Sequence, residues 1–123
     1  AGLKRLGLSD RIAYRFSPEE LVPAAGQGIL AIQTRAGEYA DLLARLNSPD
    51  GALCAKTERQ LASLLGGDCS APVGCHAQLH GTDMTLYGFS GIGGVPRYGS
   101  VQGNRNDADL LVQQLASKLT ITE

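Results

Sequence analysis

No stretch of the chain approaches the roughly 18 consecutive apolar residues that read as a membrane-spanning helix. The first residues also lack the basic-then-apolar layout of a secretory signal, so a cytoplasmic chain with no membrane partner is expected. Lysine and arginine nowhere form a run, and 11 basic side chains stand against 12 acidic ones. That balance excludes a broad polyanion-binding face, and no nucleic-acid partner is expected. Cysteine is scarce: three residues, an odd number, fit free thiols in a reducing compartment better than a disulfide framework. The 123 residues give room for one real core but hardly two.

What is present divides into two parts. Residues 1–28 are irregular, with a short helical piece around Leu3 to Leu8 and then Pro18, Pro23, Gly26 and Gly28 breaking any longer element. The run Ile29-Leu30-Ala31-Ile32 predicts a short, mostly buried strand, and Leu42, Leu43 and Leu46 predict a helix over Glu38 to Leu46. From Ser48 onward the signals agree with one another. Ser48 is a helix cap, Pro49 suits the first helical position and Asp50 favours the N-terminal partial charges. Leu53, Thr57, Leu61, Leu64 and Leu65 then share a face, and Gly66 ends the run.

Three strand patterns follow, at Val73 to Leu79, Thr85 to Ser90 and Arg97 to Gln102. They are joined by the hairpin turn His80-Gly81-Thr82-Asp83 and the glycine-rich Gly91-Ile92-Gly93-Gly94. A last helix is predicted from Asn106, with Asp109 in a capping-box-like position and Ala108, Leu111, Val112, Leu115 and Leu119 buried. The expected fold is α+β: a three-stranded antiparallel sheet with helices packed on one face, preceded by an extended crossover segment.

Cysteine chemistry draws attention to Leu64-Leu65-Gly66-Gly67-Asp68-Cys69-Ser70-Ala71-Pro72-Val73-Gly74. Glycines free the backbone before Cys69 and a proline stiffens it afterwards, which places a thiol at a turn. The local pattern also fits a half-buried cysteine beside a glycine-terminated helix.

The block Glu58-Arg59-Gln60-Leu61 through Gly74 resembles the cofactor-attachment segment of the porphobilinogen deaminase (hydroxymethylbilane synthase) family. Ala1-Gly2-Leu3-Lys4-Arg5-Leu6-Gly7-Leu8 is similar to that family's late second-domain segment. Leu21-Val22-Pro23-Ala24-Ala25-Gly26-Gln27-Gly28 resembles its Pro-Ala-x-Gly-Gln-Gly crossover. These three matches stand in the family's order.

The resemblance implies a C-terminal portion of a transferase that condenses four porphobilinogen molecules into hydroxymethylbilane, in tetrapyrrole and heme biosynthesis. Residues 1–47 would be the end of the second domain and the interdomain crossover, and residues 48–123 the C-terminal cofactor-carrying domain. Cys69 would carry a dipyrromethane cofactor through a thioether. The chemistry suits a thiol, because a thiolate attacks an electrophilic methylene carbon readily and the resulting C–S bond resists hydrolysis. Arg5 and Arg59 would hold cofactor carboxylates, and Arg5 with Gln27 would contact porphobilinogen and the polypyrrole intermediates. The family's proton-handling aspartate has no counterpart here, so the chain alone is expected to be inactive without the N-terminal domains. The pattern departs at Asp68, where the family often has glycine; a carboxylate there tends to raise the thiol pKa.

Without the resemblance, both arginines read as solvated helix charges, with Arg59 able to pair within the chain beside Glu58, and Gln27 reads as an amide bracing the backbone between two glycines. Cys69, Cys75, His76 and His80 do not have the spacing of a zinc site, and Cys54 reads as a small apolar helix residue. Gly26-Gln27-Gly28 precedes a strand-like run instead of opening a helix, which argues against a dinucleotide-binding turn. The alternative function is a small α+β binding or regulatory module with a reactive loop cysteine, pairing with a partner through a strand near Ile29 to Gln33.

Overall fold

A computed structural model describes residues 1–66 and 70–120. Two short helices, α1 (Gly2–Arg5) and α2 (Ala40–Leu46), lie in the first part of the chain. The remainder folds as α3 (Pro49–Leu64), β1 (Val73–His80), β2 (Asp83–Ser90), β3 (Arg97–Asn104) and α4 (Ala108–Leu119). The expected α+β architecture is present, with an antiparallel sheet in the order β1-β2-β3.

Helix α3 starts as its sequence predicts. The Gly51 N–H donates to the Ser48 side chain at 3.1 Å, and Pro49 occupies a position where a missing N–H costs nothing. Thr57, Leu61 and Leu65 are buried and Leu53 is half-buried. Two residues depart from the expected face: Leu64 is exposed and Glu58 is buried. The buried stripe therefore runs through Cys54, Glu58, Leu61 and Leu65, spacings of three and four that set one side of a helix. The buried Thr57 hydroxyl donates to the Leu53 carbonyl at 2.7 Å and so carries no unsatisfied donor.

His80 pairs with Asp83 across a two-residue hairpin, with Gly81 at φ +62° in the first central position, where this class of turn takes glycine. The strand faces alternate: Cys75, Ala77, Met84 and Leu86 point into the core, while His76, Tyr87 and Phe89 occupy the other face, partly covered. Helices α3 and α4 both pack on the core face, contributing Leu61 and Leu65, and Leu111, Val112, Leu115 and Leu119. Helix α4 begins differently from expectation. Asn104 caps the segment by accepting from the Asn106 N–H at 2.8 Å, a 3₁₀ turn spans Arg105–Asp107, and the α-helix proper starts at Ala108. The capping-box role expected of Asp109 is thus taken by Asn104, because the chain leaves β3 already turned.

Close approach of α4 to the sheet explains three strand glycines. A Cβ on Gly88 would lie 2.5 Å from the Leu119 Cδ1, one on Gly99 3.1 Å from the Leu115 Cδ1, and one on Gly103 2.9 Å from the Leu111 Cδ2. Gly88 and Gly99 are direct cross-strand partners, so leucines four residues apart on α4 rest on a strip of bare backbone.

The strand expected at Ile29 to Ile32 is not formed. This segment has no strand partner among the described residues, and Leu30 is 95 % exposed. An isolated strand leaves its N–H and C=O groups without a ladder, and the apolar pattern alone cannot supply one. The predicted helix near residue 40 is present, but only Leu43 is half-buried while Leu42 and Leu46 are exposed. None of the described helices is long and apolar enough to cross a membrane.

Substituting Gly88→Ala is expected to cost about 1–3 kcal/mol, because Leu119 and Leu115 must both move to admit the new methyl group. Urea unfolding followed by circular dichroism measures this; a loss well below 1 kcal/mol would show that α4 can ride up from the sheet freely.

Candidate functional site

Glu58 is the organising residue of the region that resembles a cofactor segment. Its side chain is 3 % exposed, and each carboxylate oxygen accepts one backbone N–H: Oε1 from Gly26 at 2.8 Å and Oε2 from Ala77 at 2.9 Å. His76 Nδ1 stands 3.9 Å from Oε2, too far for a hydrogen bond. One side chain therefore joins α3, strand β1 and the crossover. Because β1 is an edge strand, its outward N–H groups need partners. Ala77 finds Glu58, and Cys75 donates to the Pro23 carbonyl at 2.8 Å. The crossover also covers Gly74, where a Cβ would sit 2.6 Å from the Val22 carbonyl oxygen, and Ala25 packs against the core. Residues 22–26 are thus docked on the C-terminal unit.

The approach to this docked turn is locally braced. The Tyr14 hydroxyl donates to the Glu20 carboxylate at 2.8 Å, and the Ser17 N–H donates to it at 3.1 Å. The Tyr14 bond, followed by those from Ser17, holds the Glu20 carboxyl below the usual carboxylate range, while the same bond raises the Tyr14 phenol.

The sequence-predicted site residues lie in different surroundings. Arg5 ends α1, and its exposed side chain makes no hydrogen bond or ion pair among the described residues. Gln27 is exposed and accepts the Ala24 N–H at 3.0 Å, so its carbonyl oxygen braces the turn while its NH₂ group remains available. Arg59 is exposed and lines an open groove of about 610 Å³ between α3 and α4, with Lys56, Gln60, Ser63 and Asp109. It does not pair with Glu58, since successive helical residues point about 100° apart and Glu58 is committed inward. Neither Arg5 nor Gln27 reaches this groove. Cys69, with Gly67 and Asp68, lies outside the described residues. On either side of it, Gly66 (φ +87°) and Ser70 are both at the surface.

Glu58 itself was legible as part of the resemblance, yet its role was not. The available signal was an acidic residue in an otherwise apolar i, i+3, i+4 stripe, which marks a carboxylate aimed at buried donors.

The other two thiols are poorly suited to nucleophilic work. Burial, and after it the Glu58 charge, pushes the Cys75 thiol up to about 12. Burial raises Cys54 as well, with Glu58 and Asp50 adding to the shift and Arg105 opposing it. Cys75 points into the core and His76 to the other sheet face, so the two do not converge on a common ligand.

Comparison with known proteins matches residues 1–42 to the family model described as porphobilinogen deaminase, dipyromethane cofactor binding domain, and residues 52–120 to porphobilinogen deaminase, C-terminal domain. A porphobilinogen deaminase of Thiobacillus denitrificans is 43% identical over 123 residues, covering 97% of this chain and 40% of the relative. That of Chromobacterium violaceum is 45% identical with the same coverage, and that of Ruminiclostridium josui is 38% identical over 97% of this chain and 42% of its own length. The chain belongs to the porphobilinogen deaminase family, and it spans about two-fifths of the length of these curated relatives.

The pKa of Cys75 has a checkable consequence. Its folded value lies above the ordinary value of 9.0, so the protonated thiol stabilises the fold fully below pH 9 and that contribution is lost as pH rises toward 12. Stability should therefore fall between pH 8 and pH 10.5 less steeply in Cys75→Ala than in the native sequence. Native Cys75 should also resist iodoacetamide at pH 8 until the chain is unfolded. Peptide mapping after alkylation, and urea titrations at the two pH values, measure both.

Proposed function

We propose that this chain is the C-terminal portion of a hydroxymethylbilane synthase, a transferase that joins four porphobilinogen molecules head to tail with release of ammonia. In this reading residues 1–47 are the end of the second domain and the crossover, and residues 48–123 form the C-terminal domain. The observation that carries it is the position of Cys69. In the sequence it lies five residues beyond the end of a helix anchored through buried Glu58, in a chain whose two family matches occur in order.

Cys69 is the covalent anchor for a dipyrromethane. The surface positions of Gly66 and Ser70 suit a tether that must reach substrate, whereas burial disfavours the thiolate form of both Cys54 and Cys75. When bound, this group supplies the primer onto which pyrrole units are added. Arg5 and Arg59 supply planar pairs of donors for the acetate and propionate groups of cofactor and substrate. The free NH₂ of Gln27 donates to a substrate carboxylate while its oxygen holds the turn. Proton handling at the pyrrole nitrogens requires a carboxylate from the N-terminal domains, so the isolated chain is inactive and those domains are its necessary partner. The reaction belongs to the cytoplasm.

The test joins this chain to the preceding part of the Thiobacillus denitrificans porphobilinogen deaminase. The folded chimera is expected to consume porphobilinogen and to carry a dipyrromethane-sized mass increment, and Cys69→Ser should lose both. A folded chimera that neither turns over nor carries the increment would overturn the assignment.

A further inference from the structure

We infer that Glu58 is a positioning residue that couples the crossover turn to the helix ending at the Cys69 segment. The inference deepens the proposed function, on which its catalytic consequence rests. Helix α3 has its C-terminal end six residues beyond Glu58, about 9 Å at 1.5 Å per residue. The same side chain holds the Gly26 N–H, and Gly26 immediately precedes Gln27. Gln27 in turn is tied to Ala24 within that turn. A displacement of the crossover relative to α3 therefore moves Gln27 relative to the root of the Cys69 segment, unless the Glu58 bonds break.

The residue type follows from the donors it meets. Both partners are N–H groups and both carboxylate oxygens are used, so the site calls for two acceptors on one side chain. Glutamine offers one acceptor and would turn an NH₂ group toward the other N–H. Aspartate is a methylene shorter and cannot span from α3 to both partners without moving the helix. Two further contacts fix the direction of the crossover: the Cys75 N–H to the Pro23 carbonyl, and Val22 over Gly74. Glu58 is the only one of the three that also engages α3.

Site-resolved amide hydrogen exchange in this chain separates positioning from a general loss of stability. In Glu58→Gln, the amide of Gly26 or of Ala77 should exchange about tenfold faster or more, the equivalent of one charge-assisted hydrogen bond, while Leu86 and Leu115 in the core keep their native rates. Native protection at both Gly26 and Ala77 overturns the inference. So does an equal acceleration of the core amides, which would make Glu58 a stabilising residue only.

If Glu58→Gln does not fold, Gly74→Ala provides the second variant, because its methyl group displaces the Val22 carbonyl without touching Glu58. Exchange at Gly26 should then rise while Ala77 stays protected, and an unchanged Gly26 rate overturns the coupling. In the chimera described above, Glu58→Gln should lower kcat by about tenfold with KM unchanged, since substrate-contacting groups remain and only their placement against the tether is lost. Unaltered kcat overturns the catalytic consequence. A native-sequence chimera without turnover counts against the proposed function, and the exchange rates then decide the positioning role.

Discussion

A carboxylate buried between a helix, an edge strand and a connecting turn is the constraint on which this structure depends. Removing Glu58 from water is unfavourable, and two backbone N–H groups with no other acceptor offset that cost. The consequences spread in three directions. Strand β1 gains a partner along its open edge, the turn at Ala24 to Gln27 is fixed in place, and α3 is prevented from rotating about its axis. A solvent-exposed ion pair could not impose such geometry, because water would compete for each partner.

The sheet and α4 close the other side of the same core. Leu111, Leu115 and Leu119 rest against glycine backbone in β2 and β3, and the short separation this allows leaves little room for rearrangement in the core. Cys75 sits at the junction of that core and the crossover. Its sulfur faces the core and its N–H faces the crossover, so it acts as a packing residue and its thiol stays protonated across the neutral range.

Membership in the porphobilinogen deaminase family gives these elements a common purpose in the proposed reading. A growing chain tethered at one point must be held against a substrate site supplied partly by other elements, and a helix fixed in two places serves as a strut between them. The apolar side chains of Leu30, Leu42 and Leu46 remain exposed in this chain. Their number in residues 29–47 contrasts with the well-filled core of residues 48–120, and matches a span of about two-fifths of the relatives' length.

Much of the C-terminal unit was legible from residue order alone. Ser48-Pro49 announced a helix start, leucines at helical spacing gave α3 and α4 their buried faces, and Gly81-Thr82 marked the hairpin. Each of these is a local property, carried by backbone preference and period, and each survived folding with shifts of a residue or two. The site was legible as a set of residue types around Cys69 but not as an arrangement. Whether Glu58 faced water or protein, whether Arg59 could pair with it, and whether Ile29 to Ile32 became a strand all depended on groups far away in the chain: the N–H groups of Gly26 and Ala77 for the first two, and an available strand edge for the third. Hydrophobic period reports what a segment can bury, whereas hydrogen-bond partners and strand neighbours exist only once distant segments meet. Packing in three dimensions therefore decided the burial of Glu58 and the hydrogen-bond partners of residues 22–26.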